Sequence, residues 1–385
     1  MRIAVASKGN PKSTGTWSGI PAHIISALER KGHEVAPITL HDAKEPWHYD
    51  WLRRFYYRTQ KRWFLSSVEE QWLKEVGKQL DKEVAKTDPE VVLVIHGDWL
   101  AYTSFQKPSC IIHDTTFATL VDYYPAFTNL TSRSVRSGNR MYQKALQKAS
   151  AAVFSADWAT QSAIHHYGIT ASKVATIPFG ANLNQAPAKE EVYSLVEKRL
   201  KSGRCNLLFL GIDWERKGGP DSLLFLKKLL QNGINSHLTI VGCSPQIPAE
   251  LENHVTKAGF LRKDNKADEL RIKQILEESH ALLLPSLAEC YGCVYCEANA
   301  YGLPALGRDT GGVSEIIKDG VNGLLLSEGD SVEEFAMRWA EVWRNPSVYK
   351  KLAENSYQEF TDRLNYDVFV TKLEGILTEM LQKNN

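Results

Sequence analysis

Neither sign of charge prevails in this chain: 46 lysines and arginines stand against 45 aspartates and glutamates, a formal net charge of +1 over 385 residues. Without a global field of one sign there is nothing to gather a polyanion, so nucleic acid is excluded as the expected main partner. No apolar run approaches the roughly 20 residues of a membrane-spanning helix. The opening Met1-Arg2-Ile3-Ala4-Val5-Ala6 reads as a strand and not as a secretory signal, which makes the cytoplasm the expected location. Cysteine is scarce, at six residues, too few for a disulfide framework in so long a chain, and the thiols are expected free. No low-complexity tract and no period of 20 to 50 residues marks a repeat architecture.

What is present is apolar material for a large core, 43% of the residues, in a chain long enough for two or three domains. Short apolar, β-rich runs recur between helical patterns: Ile3 to Ala6, Val91 to Ile95, Cys110 to Ile112, Ala152 to Phe154 and Val174 to Ile177, then Asn206 to Leu210, His237 to Val241, Ala281 to Leu284 and Ala305 to Leu306. Continuous apolar strands alternating with helices imply parallel sheets covered on both faces, one doubly wound sheet in each half. The rhythm breaks in a polar stretch after Gly180, so the interdomain connection is expected at about 185–203, between domains at 1–184 and 204–360.

Open parallel sheets bind ligands outside the carboxyl ends of their strands, where helix N-termini attract phosphate. After the first run come Gly9, Gly15 and Gly19, with Pro21 suited to a first helical turn. Their spacing is not the dinucleotide fingerprint, and a plain tight turn explains them as well as a ligand site does. In the second half, Gly211-Ile212-Asp213-Trp214-Glu215-Arg216-Lys217-Gly218-Gly219 leaves a strand and enters a helix. Lys217 at the helix mouth suits a diphosphate clamp; the plain alternative is a solvated surface lysine.

The stretch Ser286-x-x-Glu289-x-Tyr291-Gly292, with Glu297-Ala298 eight positions after Glu289, resembles the double-glutamate motif of family 4 glycosyltransferases of the GT-B fold. Gly302-x-Pro304, Thr310-Gly311-Gly312-x-x-Glu315 and Asp319-Gly320-x-Asn322-Gly323 follow in that family's order, and Ile240-Val241-Gly242 and Gly259-Phe260 precede them. Ile112-His113-Asp114, Ser155 and Ile177-Pro178-Phe179-Gly180 extend a weaker likeness through the first half. The resemblance implies two Rossmann-like α/β domains facing across a cleft, with a C-terminal helix at about 361–385 crossing back to the first. It further implies a hexosyltransferase that takes its sugar from a nucleoside diphosphate, with UDP-sugars slightly favoured over GDP-mannose, and retains the anomeric configuration.

Carried over by position, Glu289 would bind the donor sugar hydroxyls, Glu297 the ribose, and Lys217 the diphosphate. The backbone of Tyr291, Gly292, Cys293 and Val294 would face the distal phosphate and sugar. Phe260 and Leu261, in the turn after Gly259, would edge the base, Gly19 would approach phosphate from the first domain, and His113 would orient the sugar near its anomeric carbon. Two departures stand out. Ile212 occupies the position where the family carries an arginine, leaving Arg216 or a more distant arginine to replace that cation, and Gly19 is single where paired glycines are common. No Asp-x-Asp pair for a divalent ion is seen, so neither metal nor cofactor is expected.

Three other readings compete. Cys290-x-x-Cys293-x-x-Cys296 invites a metal, but a helix running from Cys290 would raise Cys296 by about 9 Å, too far for one ion with bonds of about 2.3 Å. A nucleotide-sugar epimerase of the same architecture and a catalytically silent nucleotide-sugar binder keep the fold and change the outcome. The acceptor, whether glycan, lipid-linked or small molecule, is not specified. One segment is strongly biased: at 3.6 residues per turn, Trp51, Leu52, Phe55, Tyr56, Thr59 and Trp63 share one side of Trp51 to Phe64, and Arg54, Arg58, Lys61 and Arg62 another. It reads as a helix packed by its aromatics, or as a peripheral contact with the inner membrane face.

Overall fold

The computed structural model describes residues 1–384. The chain divides into two compact units, Met1–Pro178 with the returning segment from Tyr366, and Phe179–Asn365. Each is built on one six-stranded, all-parallel sheet. The first holds β1 (Arg2–Lys8), β2 (Glu34–Leu40), β3 (Val91–Ile95), β4 (Ser109–His113), β5 (Ala151–Phe154) and β6 (Val174–Thr176), in the order β2-β1-β3-β4-β5-β6. The second holds β7 (Cys205–Leu210), β8 (Ser236–Val241), β9 (Val255–Gly259), β10 (Ala281–Leu284), β11 (Ala305–Arg308) and β12 (Gly323–Leu326), in the order β12-β11-β10-β7-β8-β9. Counted from β7, that is the 3-2-1-4-5-6 order of a Rossmann sheet, whose strand direction of winding reverses between β7 and β10.

The central strands are the continuous apolar runs. All residues of β3, β4, β5 and β10 are buried, and each fully buried Val, Leu or Ile side chain contributes about 1.5–3 kcal/mol. Helices cover both faces, including Ile20–Arg30 and Glu70–Thr87 in the first unit and Gly219–Gln231 and Val332–Arg344 in the second. Pro37 pairs with Val5 inside β2; a strand with a neighbour on one side only can spare that N–H.

The expected connection at 185–203 is corrected. It lies within the second unit and carries the helix Lys189–Leu200, whose Val192, Val196 and Arg199 are buried. Arg199 is the reason: its guanidinium donates to the carbonyls of Leu276 at 3.0 Å, Glu277 at 3.2 Å, Tyr301 at 2.9 Å and Gly302 at 3.2 Å. It thereby satisfies the C-terminal carbonyls of the helices Lys266–Glu278 and Cys293–Ala300, which lack partners of their own. The units therefore part between Pro178 and Phe179. The last helix, Tyr366–Asn384, belongs to the first unit, where Asp367 accepts from Arg30 at 2.6 Å and Glu374 pairs with Lys31 and His33 at 3.0 and 2.7 Å.

Candidate active site

In the second unit the loops after β7 and β10 leave the sheet on either side of its switch point, where such folds bind ligands. Glycines let these loops touch. Gly218, at φ +75°, caps the helix Gly219–Gln231, and a Cβ there would stand 2.1 Å from the carbonyl oxygen of Pro285. Gly242, after β8, packs on Gly211, where a Cβ would stand 2.6 Å from the carbonyl oxygen. The contact brings Lys217, Arg216 and Glu289 together. The Lys217 ammonium pairs directly with Glu289, whose side chain is buried. Ser286 Oγ approaches the same Glu289 oxygen at 3.4 Å. Arg216 lies 3.9 Å from that carboxylate and donates to Asp213 at 3.1 Å and to the carbonyl of Ala288 at 2.8 Å. Arg216 is thus a latch between the two loops. Ile212, standing where a second cation was expected, is 71% exposed.

Glu297 is the fifth residue of the helix Cys293–Ala300, which begins after Gly292 at φ +93°. Its carboxylate is buried and bound by Lys263 at 2.5 Å; the same ammonium donates to the carbonyl of Asn182 at 3.3 Å. Each of the two glutamates therefore has its own lysine. Phe260 is exposed and Leu261 half-buried in the turn after β9, where Gly259 at φ +73° also accepts from Gly242 N–H at 2.8 Å. The Tyr291 ring is buried and its hydroxyl donates inward to the carbonyl of Phe179 at 2.8 Å. Gly292, Cys293 and Val294 form the helix mouth and are partly exposed. The helix starts at Cys293, not Cys290. Cys290 and Cys296 are buried, and burial pushes the Cys296 thiol up to about 12. Among the described residues, no cluster of three or more histidine, cysteine or carboxylate side chains is placed to hold a metal ion.

The first unit gathers a different set. His113 ends β4 and is buried; its Nδ1 lies 3.0 Å from the Tyr142 hydroxyl, which donates to the carbonyl of Thr115 at 2.8 Å. That hydroxyl has one proton, so His113 carries its own on Nδ1 and leaves Nε2 as the acceptor, 3.6 Å from Asp114. Burial, and then the neighbouring His96, hold His113 well below the ordinary histidine value. His96, after β3, lies 4.8 Å from His113 ring to ring, and Trp17 packs against both, at 4.4 Å from His96 and 5.9 Å from His113. Trp17, Ser18 and Gly19 all have positive φ, at 42°, 57° and 88°. Two consecutive non-glycine residues so placed cost about 1–3 kcal/mol each, a strain that clusters at functional turns. Gly19 thus ends a strained turn leading into the Ile20–Arg30 helix.

Two family models match the chain. One described as "Glycosyltransferase Family 4" covers residues 22–185, and one described as "Glycosyl transferases group 1" covers 196–359. The chain belongs to the family 4 glycosyltransferases. Among curated proteins it is similar to the D-inositol 3-phosphate glycosyltransferase of Nocardiopsis dassonvillei, 26% identical over 49% of this chain and 46% of that one. It is also similar to the N-acetyl-alpha-D-glucosaminyl L-malate synthase of Bacillus anthracis, 26% identical over 39% of each. The chain thus spans about half the length, or less, of these two relatives. Solved GT-B structures match over the whole length: sucrose-phosphate synthase of Thermosynechococcus elongatus, TM-score 0.71, 15% identity, 100% of both chains, and Anabaena HepE with UDP and glucose, TM-score 0.63, 16% identity, 98% of this chain and 100% of that one. At these identities the likeness is one of fold.

The family motifs do not reach Lys263, His96 and Trp17. Lys263 follows the turn Gly259–Arg262 directly, and His96 ends a buried strand just as His113 does. A polar residue closing an apolar run was the available signal for His96; nothing in sequence tied Lys263 to a glutamate 34 positions away.

Proposed function

We propose that the protein transfers a hexosyl group from a nucleoside diphosphate sugar to a glycan, lipid-linked or small-molecule acceptor, with retention and without a metal ion. The observation that carries this reading is the pair of buried glutamates, each held by a lysine, beside the switch point of a Rossmann sheet. A sugar leaving a nucleoside diphosphate builds positive charge at the anomeric carbon and negative charge on the departing phosphate. Lys217 offers the cation for that phosphate. As the diphosphate takes over Lys217, both Glu289 oxygens turn to the sugar hydroxyls, so one exchange of partners positions the sugar and clamps its leaving group. Glu297 binds the ribose in the same way, with Lys263 keeping its charge tolerable when buried. Glu289 serves as a positioning group and not as the nucleophile; the departing phosphate draws the acceptor proton. His113, neutral and with Nε2 as its acceptor, is the proposed partner of a sugar hydroxyl.

UDP-sugars are the first donors to try, since HepE was solved with UDP and with UDP-glucose. A thermal-shift panel of UDP-, GDP- and ADP-sugars tests the reading, because a ligand at 100 times its Kd stabilises by about 2.7 kcal/mol. Hydrolysis of the stabilising donor, or its transfer to an added acceptor, separates an enzyme from a silent binder. No stabilisation by any nucleotide sugar would overturn the proposal.

A further inference from the structure

The helix His48–Gln60 and the turn after it take no part in the site described above. Their charge is unusual for this chain: Trp51 to Phe64 contains Arg53, Arg54, Arg58, Lys61 and Arg62 and no carboxylate. Packing sorts the helix into two sides. Tyr49 is buried and Leu52 and Tyr56 pack on the first unit's core. Opposite them, Trp47 is 84%, Trp51 58% and Phe55 41% exposed, with the Trp51 and Phe55 rings stacked at 5.2 Å. At 100° per residue, Trp47, Arg54, Trp51, Arg58 and Phe55 fall within about 100° of one another. The segregation expected from sequence is therefore corrected: the outward stripe mixes indoles with guanidiniums, because the core claims Leu52 and Tyr56 and leaves Trp51 and Phe55 outside. Beside it, Trp63 is 56% exposed and packs on Tyr57 at 4.9 Å, with the Lys61 ammonium 5.3 Å from the Tyr57 ring centre.

This surface is held in place. Trp63 N–H donates to the carbonyl of Asn129 at 3.0 Å, Thr131 N–H to that of Trp63 at 2.9 Å, and Asn129 Nδ2 to that of Lys61 at 2.6 Å. Arg53 is taken by Asp50 and Glu45, and Asp122 accepts from Asn129 N–H. Among the described residues no carboxylate lies within ion-pair distance of Arg54, Arg58, Lys61 or Arg62. An ordered, exposed aromatic surface rimmed by uncompensated cations calls for a partner that is apolar at one depth and anionic at the next.

We propose that this stripe docks the protein on an anionic phospholipid membrane, its rings at headgroup depth and its guanidiniums on lipid phosphates. Both charge and aromatics are required, since the helix's other side is committed to the core and cannot enter the acyl region. Co-sedimentation with vesicles of phosphatidylcholine alone, or with about a third phosphatidylglycerol, tests it at low ionic strength. The protein binds the anionic vesicles and not the neutral ones. R54Q/R58Q/K61Q/R62Q lowers partitioning by about 10²-fold or more, as each cation at a charged surface contributes severalfold. W47S/W51S lowers it by about tenfold or more, and R54Q/R58Q, which touches only solvated side chains, by an intermediate factor. R54Q/R58Q and W47S/W51S keep the wild-type melting temperature; the quadruple variant also loses the Arg62 hydrogen bond to the carbonyl of Leu130, so its folding is checked by circular dichroism. Absence of binding to anionic vesicles, equal binding to neutral ones, or binding untouched by either multiple variant overturns the proposal. So does a concentration-dependent dimer that W47S/W51S dissolves while vesicle binding is absent, which would make the stripe a contact between copies of this chain.

Discussion

Lys263, in the turn that follows β9, and Glu297, in the helix Cys293–Ala300, meet at 2.5 Å with the carboxylate buried. A buried charge stripped of its partner is costly, whereas a lost pair is less so. Lys263→Ala and Glu297→Ala should each weaken nucleoside diphosphate binding by about tenfold or more, and the double variant should be little worse than Glu297→Ala. Isothermal titration of the four proteins gives the coupling. Strict additivity would show that the lysine and the glutamate serve the ligand independently.

Glu289→Gln keeps the shape of the side chain and removes its charge, and Lys217→Ala removes the phosphate's cation. Either should lower turnover by about 10²-fold or more; Glu289→Gln should hold the melting temperature, whereas Lys217→Ala, which leaves the buried Glu289 carboxylate without its lysine, should lower it. Near-normal turnover in both folded variants would take Lys217 and Glu289 out of the reaction.

His280 supplies a pH dependence of defined sign. Its Nδ1 accepts from Asn206 N–H at 3.0 Å and its Nε2 donates to the carbonyl of Arg199 at 3.2 Å. Protonation at Nδ1 destroys the first bond, and burial lowers the group to about 4. A histidine depressed in the fold contributes stability that is complete above about pH 6.5 and is lost as pH falls toward 4, on the order of 3 kcal/mol in all. In the first unit His96, also lowered to about 4 by burial, acts in the same sense, while Asp98, raised to about 6 by burial, gains stability over the acid range and opposes it. The second unit therefore gives the cleaner reading. Urea midpoints at pH 7, 5.5 and 4.5 should fall for wild type and flatten in His280→Gln; parallel curves would refute the assignment.

Gly218→Ala places a Cβ against Pro285 on a left-handed backbone and should destabilise the second unit by about 2 kcal/mol or more. Gly203, with open space at its Cβ, gives the control: Gly203→Ala should change stability by about 0.5 kcal/mol or less. Equal denaturation midpoints for the two variants would mean that the β7 and β10 loops have room to part.

Most strands legible in sequence were those with a neighbour on both sides, where the sheet demands an unbroken apolar run; β6, an edge of half-buried residues, was legible as well. β2, β9 and β12 were not read as strands, and all three are edges. β2 is interrupted by Pro37 and β9 by Lys257, both acceptable where one side of a strand is free. The domain junction was misplaced because Arg199 and its polar surroundings look like a linker, although the side chain is spent on helix carbonyls. At the site, Lys217 was legible from its place at a helix mouth, and Glu289 and Glu297 only through the resemblance to the double-glutamate motif. Lys263, His96 and Trp17 were not, since each acquires its meaning from a neighbour distant in sequence.

Because the helix Tyr366–Asn384 completes the first unit, the second unit is a nested insertion in the chain of the first. On the ribosome, the first unit must wait through all of Phe179–Asn365 before Glu374 can reach Lys31 and His33, contacts more than 340 positions apart. The second unit has its last residue, Asn365, nine positions before Glu374, so, although it is made second, every contact it needs is available before the first unit can close. Slow, late closure of the first unit then sets the time at which the chain becomes whole.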